Sequence, residues 1–305
     1  VRTIAVVIPA YNAERTIRRM LEALAGQHPP PHEVIVVDNG STDATAGIAR
    51  ELNARVITVP GAGLVGRARN RGWEAATADV VVFLDADAIV GPDWAAGLQR
   101  ALAEHPKAVV GCARRLVGRN SWSWVAQLQV GSPWIERGGP RQVRALPSFC
   151  VAVPRDAPIR WAESFGGEDG LFAVDALRAG LPLVFDPRFY AVHDEYRETF
   201  GELRRWQRRL TYGMARCRSV QREGWRKRIF WRFPIHYFAL ARLPLIHRRL
   251  RHDPQLRGMF LRYLPQMVVA EWTLGFSALR FVWRSPPERP APAPLRQSAS
   301  RAPSA

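Results

Sequence analysis

Short β-branched runs and amphipathic stretches alternate through the first 110 residues. Residues 4–8, 33–37, 55–59 and 79–84 have strand length and composition, and the stretches between them space their apolar positions at helical intervals. Alternation of this kind predicts parallel strands joined by crossover helices. Ser41, Thr42 and Asp43 supply capping residues for the second intervening helix, and Pro92 opens one that runs to about Glu104. In a doubly wound sheet the ligand lies outside the carboxyl ends of the strands. The loops PAYN (9–12), DNGSTD (38–43) and DADA (85–88) fall there, so three strand ends converge on one crevice.

The pattern is less regular from about 107 to 165, where a strand-like KAVVGCARRLVG precedes a stretch holding Trp122, Trp124 and Trp134. Indole faces of this kind suit the apolar faces of sugars, a lipid, or an ordinary core. In GGEDGLFAVDALRAG, Glu168 and Asp169 open an amphipathic helix that ends at Gly180. Beyond Phe200 basic and aromatic residues interleave to about Arg262, an apolar stretch runs from 259 to 283, and residues 285–305 form a Pro-, Ala- and Ser-rich tail expected to be disordered.

A 47% apolar share over 305 residues is enough to fill the core of one large α/β domain or two small ones. Three scattered cysteines provide neither a CxxC pair nor a disulfide framework, which fits a reducing compartment, and the first residues lack the pattern of a secretory signal. The net charge of +17 is unevenly placed. Residues 202–262 carry 17 Lys plus Arg against Glu202, Glu223 and Asp253, a net of +14, which leaves +3 for the other 244 residues. A nearly neutral protein thus bears one strongly basic segment.

The chemistry starts at FLDADA (83–88). Asp85 and Asp87, at i and i+2 after a buried strand, present oxygen ligands of the kind that hold Mg²⁺ or Mn²⁺ while substrate phosphates complete the shell. Alone, a DxD also reads as a strand-ending or capping pair. Together with VIPAYNAE (7–14), VVDNGSTD (36–43), GRARNRG (66–72), GGEDG (166–170) and YAVH (190–193), in this order, it resembles the inverting glycosyltransferases of family 2. The resemblance covers roughly residues 4–213 and implies an α/β fold of GT-A type: a Rossmann-like, mostly parallel sheet flanked by helices.

What the resemblance implies can be placed on individual residues. Pro9, Ala10, Tyr11, Asn12 and Glu14 match the loop that holds the nucleotide, and Asp38 the acid that reads the base. Asn39 departs from the more usual VVDDGS, which leaves UDP, TDP and GDP donors all open. Arg69 matches an arginine near the nucleotide. Asp85 would contact the ribose and, with Ala86 and Asp87, form the DxD, in which Asp87 binds Mn²⁺ or Mg²⁺. His193 would ligate the metal or touch the diphosphate. Asp169, with Glu168 as the adjacent alternative, would take the proton from the acceptor hydroxyl, and direct attack would invert the anomeric centre. The same acid pair could instead only cap its helix. RRWQRRLTYG (204–213) resembles the basic segment that follows the histidine and could neutralise the leaving diphosphate. It lacks the QxxRW order of processive synthases, which points to single-sugar transfer.

The boundaries expected are a catalytic domain over 1–201 (nucleotide-binding to about 110, acceptor and catalytic part from about 111), a basic, apolar helical segment over 202–284, and the tail. Polar positions 262, 266, 273, 277, 280 and 284 form one helical stripe on an otherwise apolar helix, with Glu271 alone on the opposite side. Gln266, Glu271 and Arg280 interrupt the apolar run, so an interfacial helix is expected rather than a spanning one. Basic residues mixed with aromatics and leucines over 225–251 point to an anionic membrane surface, the cytoplasmic face, and to a lipid or lipid-linked glycan acceptor. An oligomer interface or helical cover would hide the same apolar surface; nucleic acid is a poor partner for large apolar runs. Two other functions compete: an inactive GT-A-type scaffold at the membrane, and a nucleotidyltransferase, whose Gly-rich, Lys-bearing loop is missing from PAYNAERT.

Overall fold

The computed structural model describes residues 1–59, 64–164, 166–194, 197–220 and 239–283. The tail and the basic stretch 221–238 lie outside the described residues. The first strands and helices follow the periodicity: β1 (Ile4–Ala10), α1 (Ile17–Ala25), β2 (Glu33–Asp38), α2 (Thr45–Glu51), β3 (Arg55–Thr58), α3 (Val65–Ala75) and β4 (Val80–Leu84). β1 pairs in parallel with β2 and β4, and β2 with β3. This right-handed crossover geometry places helices on both faces and all four strand ends at one edge.

The rest of the sheet is mixed. β5 (Ala88–Val90) is followed by α4 (Trp94–Glu104), β6 (Val109–Arg115), α5 (Ser121–Gly131), β7 (Arg141–Val143), β8 (Cys150–Pro154), α6 (Glu168–Arg178) and β9 (Leu183–His193). The order β3-β2-β1-β4-β8-β6-β9-β5 inserts β8 antiparallel between β4 and β6, while β6 and β9 run parallel. At the far edge β5 pairs antiparallel with β9, setting Ala88 opposite His193.

Alternation along the strands fills two cores. Val6, Ile8, Val36 and Val82 meet Met20 and Leu24 of α1 and Trp94 and Leu98 of α4 on one face. Ala5, Val7, Ile35 and Phe83 meet Trp73 of α3 and Phe172 and Ala176 of α6 on the other. A third apolar cluster is mostly helical. It joins α5 to α7 (Phe200–Val220), α8 (Ala239–Leu250), α9 (Pro254–Arg262) and α10 (Leu264–Trp283). Trp122 and Trp124 pack into this cluster and Trp134 against Phe185, so the tryptophan stretch builds core.

α7 runs between α6 and α10 and packs on both. Its approach to α6 requires glycine on both sides: a Cβ on Gly167 would lie 2.5 Å from the Gly213 carbonyl oxygen, and one on Gly213 2.5 Å from the Gly167 nitrogen. Gly166 and Gly167 are also both left-handed, at φ 71° and 79°.

One member of the polar stripe on the last helix, and the acid out of line with it, are used inside the helical layer. Thr273 donates to Gln207 of α7 (2.8 Å), and Gln207 donates to the Ala270 carbonyl (2.9 Å). Glu271, out of line with the stripe, is fully buried and accepts from Arg242 Nε of α8 at 2.5 Å. The polar residues tie the helices together, which leaves an apolar side of α10 exposed.

Candidate active site

The crevice begins where β1 and β2 end. Asn12 adopts a left-handed φ of 49°; its side-chain oxygen accepts from the Thr42 N–H (2.9 Å) and its own N–H donates to Ser41 Oγ (3.0 Å). Glu14 accepts from the Ala44 N–H (3.2 Å). These bonds lace PAYN to DNGSTD, so the Asn12 and Glu14 side chains set the shape of the loops. Ser41 and Thr42 serve the same lacing, while Asp43 receives the N–H of Thr45 at the start of α2 (3.0 Å). Pro9 is still paired in β1, and the Ala10 carbonyl accepts the Asn39 N–H (2.8 Å). Tyr11 stands half exposed at the mouth. Asp38, 5% exposed, accepts the Ser41 N–H (3.1 Å) at the end of β2.

β4 delivers the two aspartates through a tight turn in which the Ala88 N–H returns to the Asp85 carbonyl (2.9 Å), with Ala86 packed on the core. β9, paired with the edge strand β5 that follows the aspartates, brings His193 alongside them. Its Nε2 lies 3.4 Å from Asp87 Oδ1 and 3.8 Å from Asp85 Oδ2, and one potential ligand atom from each of the three lies within 4.8 Å of the others. Two carboxylate oxygens and an imidazole nitrogen make a donor set suited to Mn²⁺ or Mg²⁺, fewer than the roughly six ligands such an ion takes.

Arg69 of α3 is almost completely buried. Its Nη2 donates to Asp85 Oδ1 (2.8 Å), and its guanidinium lies 4.3 Å from the centre of the Trp161 ring. Nε and Nη1 have no protein partner. Burial works against the charge of Asp85, but Arg69 and His193 outweigh it and hold this carboxyl below its ordinary range. Asp87 behaves oppositely: burial, reinforced by the negative charge of Asp85, raises it against the pull of His193, Arg114 and Arg197. A cation between the two carboxylates would relieve that repulsion.

Glu168 and Asp169 open α6, within electrostatic reach of Arg69 and Asp85. The Asp169 carboxylate accepts the Gly170 N–H (2.8 Å) and borders a small recess whose other walls include Trp161, Phe172, Leu146 and Val151. Water displaced by the surrounding protein pushes the Asp169 carboxyl up, and does the same to Glu168, which Asp169 raises further. A raised carboxyl is a stronger base. Trp161 stacks on Phe172 at 4.0 Å and 12°, one turn from Asp169, so Arg69, Trp161 and Phe172 form a continuous stack from the DxD to the acid pair.

The sequence reading overlooked the residues that hold His193 in place. Gln127 Nε2 donates to the His193 carbonyl (2.6 Å), and Gln127 Oε1 accepts from Nε of the buried Arg114 (3.0 Å). The next residue, Asp194, donates its N–H to the Asp87 carbonyl (2.8 Å), and its carboxylate accepts from Arg19 (2.7 Å) and Arg119 (2.9 Å). The positive charges that act on Asp87 come from Arg114 and Arg197, outside the 204–213 segment assigned to the diphosphate. None of these residues sits in a local motif; only HD in YAVHDE hinted at a second anchoring acid.

Residues 5–153 match the family model described as Glycosyl transferase family 2. An uncharacterized glycosyltransferase of Mycobacterium tuberculosis is 36% identical over 127 residues, 41% of this chain and 55% of that protein, so the chain spans about half the length of this relative. Among solved structures, the mannosyltransferase PcManGT from Pyrobaculum calidifontis, in complex with GDP-Man and Mn²⁺, superposes with a TM-score of 0.62 over 92% of this chain and 87% of its own, at 18% identity. Glucosyl-3-phosphoglycerate synthase from M. tuberculosis, in complex with Mn²⁺, UDP and glucosyl-3-phosphoglycerate, does so with a TM-score of 0.50 over 70% and 78%, at 25% identity. Through residues 5–153, carried on this sheet, the chain belongs to glycosyltransferase family 2.

Proposed function

We propose that the protein is a metal-dependent, inverting glycosyltransferase that moves a single sugar from a UDP, TDP or GDP donor to a hydroxyl of a lipid or lipid-linked glycan at the cytoplasmic face of the membrane. One observation carries the reading: Asp85, Asp87 and His193 converge beside Arg69, and the raised carboxyl of Asp169 stands within electrostatic reach of the same arginine. A donor with its diphosphate against the first group presents its anomeric carbon towards the second.

In this arrangement Asp169 accepts the acceptor's hydroxyl proton as its oxygen bonds to the anomeric carbon. The bond from that carbon to the β-phosphate oxygen breaks on the opposite face, so the configuration inverts. Asp85, Asp87 and His193 would hold a divalent cation, which when bound supplies Lewis-acid neutralisation of the diphosphate. Arg114 and Arg197 add positive charge at the same end, and Arg69 keeps Asp85 ionised. Gln127 and Asp194 fix the backbone on both sides of the His193 ring. The Mn²⁺ and UDP bound by the mycobacterial synthase support the choice of cofactor and donor class.

A screen of nucleotide sugars for metal-dependent hydrolysis tests the reading. Hydrolysis of at least one UDP-, TDP- or GDP-sugar, abolished by chelation, is expected. No hydrolysis of any donor, with no rise in melting temperature on adding UDP, TDP or GDP with Mn²⁺, would refute it.

A further inference from the structure

Five of the eight large hydrophobic side chains that stand well exposed among the described residues lie in the layer of α8, α9 and α10: Leu245, Leu261, Val269, Trp272 and Phe276. On α10 the exposed positions Pro265, Val269, Trp272 and Phe276 recur at spacings of four, three and four, a single stripe along the helix. The other side of the helix, Met267, Ala270, Leu274 and Ala278, is buried. The helix is therefore apolar outside as well as inside, and the outer rings of Trp272 and Phe276 stack on each other at 5.9 Å.

The charge exposed by this layer has one sign. Residues 239–283 contain seven arginines and two acids. Glu271 is buried against Arg242, and Asp253 caps α9 by accepting the Leu256 N–H (2.9 Å). Arg248, Arg251, Arg257 and Arg262 are exposed.

We infer that the outer stripe of α10, with the exposed arginines of α8 and α9, is the face by which the protein lies on an anionic phospholipid bilayer. The inference rests on the lipid-acceptor reading above and gives it a contact surface. Charge complementarity selects the occupant: a surface with arginines and no exposed carboxylate matches phospholipid headgroups, and aromatic rings beside them suit the boundary between headgroup and acyl chain. Among the described residues no helix is long and apolar enough to cross a membrane, so α10 would lie in the interface plane, about 30 Å long.

The test uses the full chain with vesicles of equal parts phosphatidylcholine and phosphatidylglycerol, and with phosphatidylcholine alone, reading the sedimented fraction. Binding to the mixed vesicles is expected, weaker in high salt. Trp272→Ser with Phe276→Ser should lower it at least about tenfold, Arg257→Glu with Arg262→Glu should lower it on the mixed vesicles only, and Trp272→Phe should retain it. Metal-dependent donor hydrolysis without vesicles should be the same in all variants and confirms their folding. The inference fails if the parent does not bind mixed vesicles, if the serine pair binds as well as the parent, or if sedimentation velocity shows a parental dimer that the serine pair dissociates. Vesicle binding by a parent that hydrolyses no donor would sink the transferase reading and leave this face standing.

Discussion

The buried pair between α8 and α10 allows a sharp energetic test. Arg242 Nε meets Glu271 Oε2 at 2.5 Å, and Nη2 donates to the Gln129 carbonyl at 2.9 Å, while the Glu271 side chain has no exposure to solvent. Arg242→Met leaves the carboxylate buried without its cation. Breaking such a pair costs about 3–5 kcal/mol, and the 19% exposure of Arg242 places this one near the lower figure. Burial already raises the Glu271 carboxyl, against the opposing pull of Arg242, so the variant should raise it further. A carboxyl raised above its unfolded value destabilises the folded state once pH exceeds its unfolded pKa, and the loss grows until pH passes the folded value. The deficit should therefore be full at about pH 8 and smaller at about pH 5.5. Replacing both residues, Arg242→Met with Glu271→Leu, should recover most of the loss or exceed the parent by about 1 kcal/mol. Urea unfolding followed by tryptophan fluorescence, with Trp272 adjoining the site, reads all three. A single variant within about 1 kcal/mol of the parent at the higher pH, or a double variant no better than the single, would refute the reasoning.

Asp169→Asn should lower kcat by about 10²–10⁴ while nucleotide affinity, measured by calorimetry, stays within about twofold, and Glu168→Gln should cost much less. In the parent, turnover should fall as pH drops through the raised Asp169 carboxyl, so the acid limb lies higher than an ordinary aspartate would put it; a limb in the ordinary aspartate range would assign the base elsewhere. Gln127→Leu removes the bond to the His193 carbonyl and should weaken Mn²⁺ activation by about 10–100-fold with donor affinity at saturating metal retained. Gly213→Ala puts a methyl group 2.5 Å from the Gly167 nitrogen and should lower stability by about 1–3 kcal/mol, together with kcat, as seen by thermal melting and turnover; unchanged turnover would show that Asp169 is positioned without α7.

The sheet was legible where neighbours in sequence are neighbours in space. Residues 4–8 through 79–84 alternate with helices, so β1 to β4 and the loops at their ends could be read from period alone. β8 and β9 could not be placed this way, because the pairing of Ala88 with His193 joins residues more than a hundred positions apart. The resemblance to a family put His193 beside the aspartates, but nothing local marked Gln127, Arg114 or Asp194, whose roles exist only once β9 reaches the far edge. On α10 the stripe was legible from its period, but its partners were not: Thr273 meets Gln207 and Glu271 meets Arg242, residues of other helices. An acid out of line with the stripe was the clue: at such a position it needs a buried cation.

The change in composition near residue 201 invites a cut there, as though an enzyme ended and an anchor began. α7 begins at Phe200, and its Gly213 is the abutment against which the first turn of α6 rests. A chain shortened to residue 201 would uncover the third apolar cluster and leave the turn that presents Asp169 with nothing behind it. A piece that keeps Asp169 in position retains α7 and the last helix packed on it, so the outer stripe of that helix is better altered by substitution than by trimming the chain.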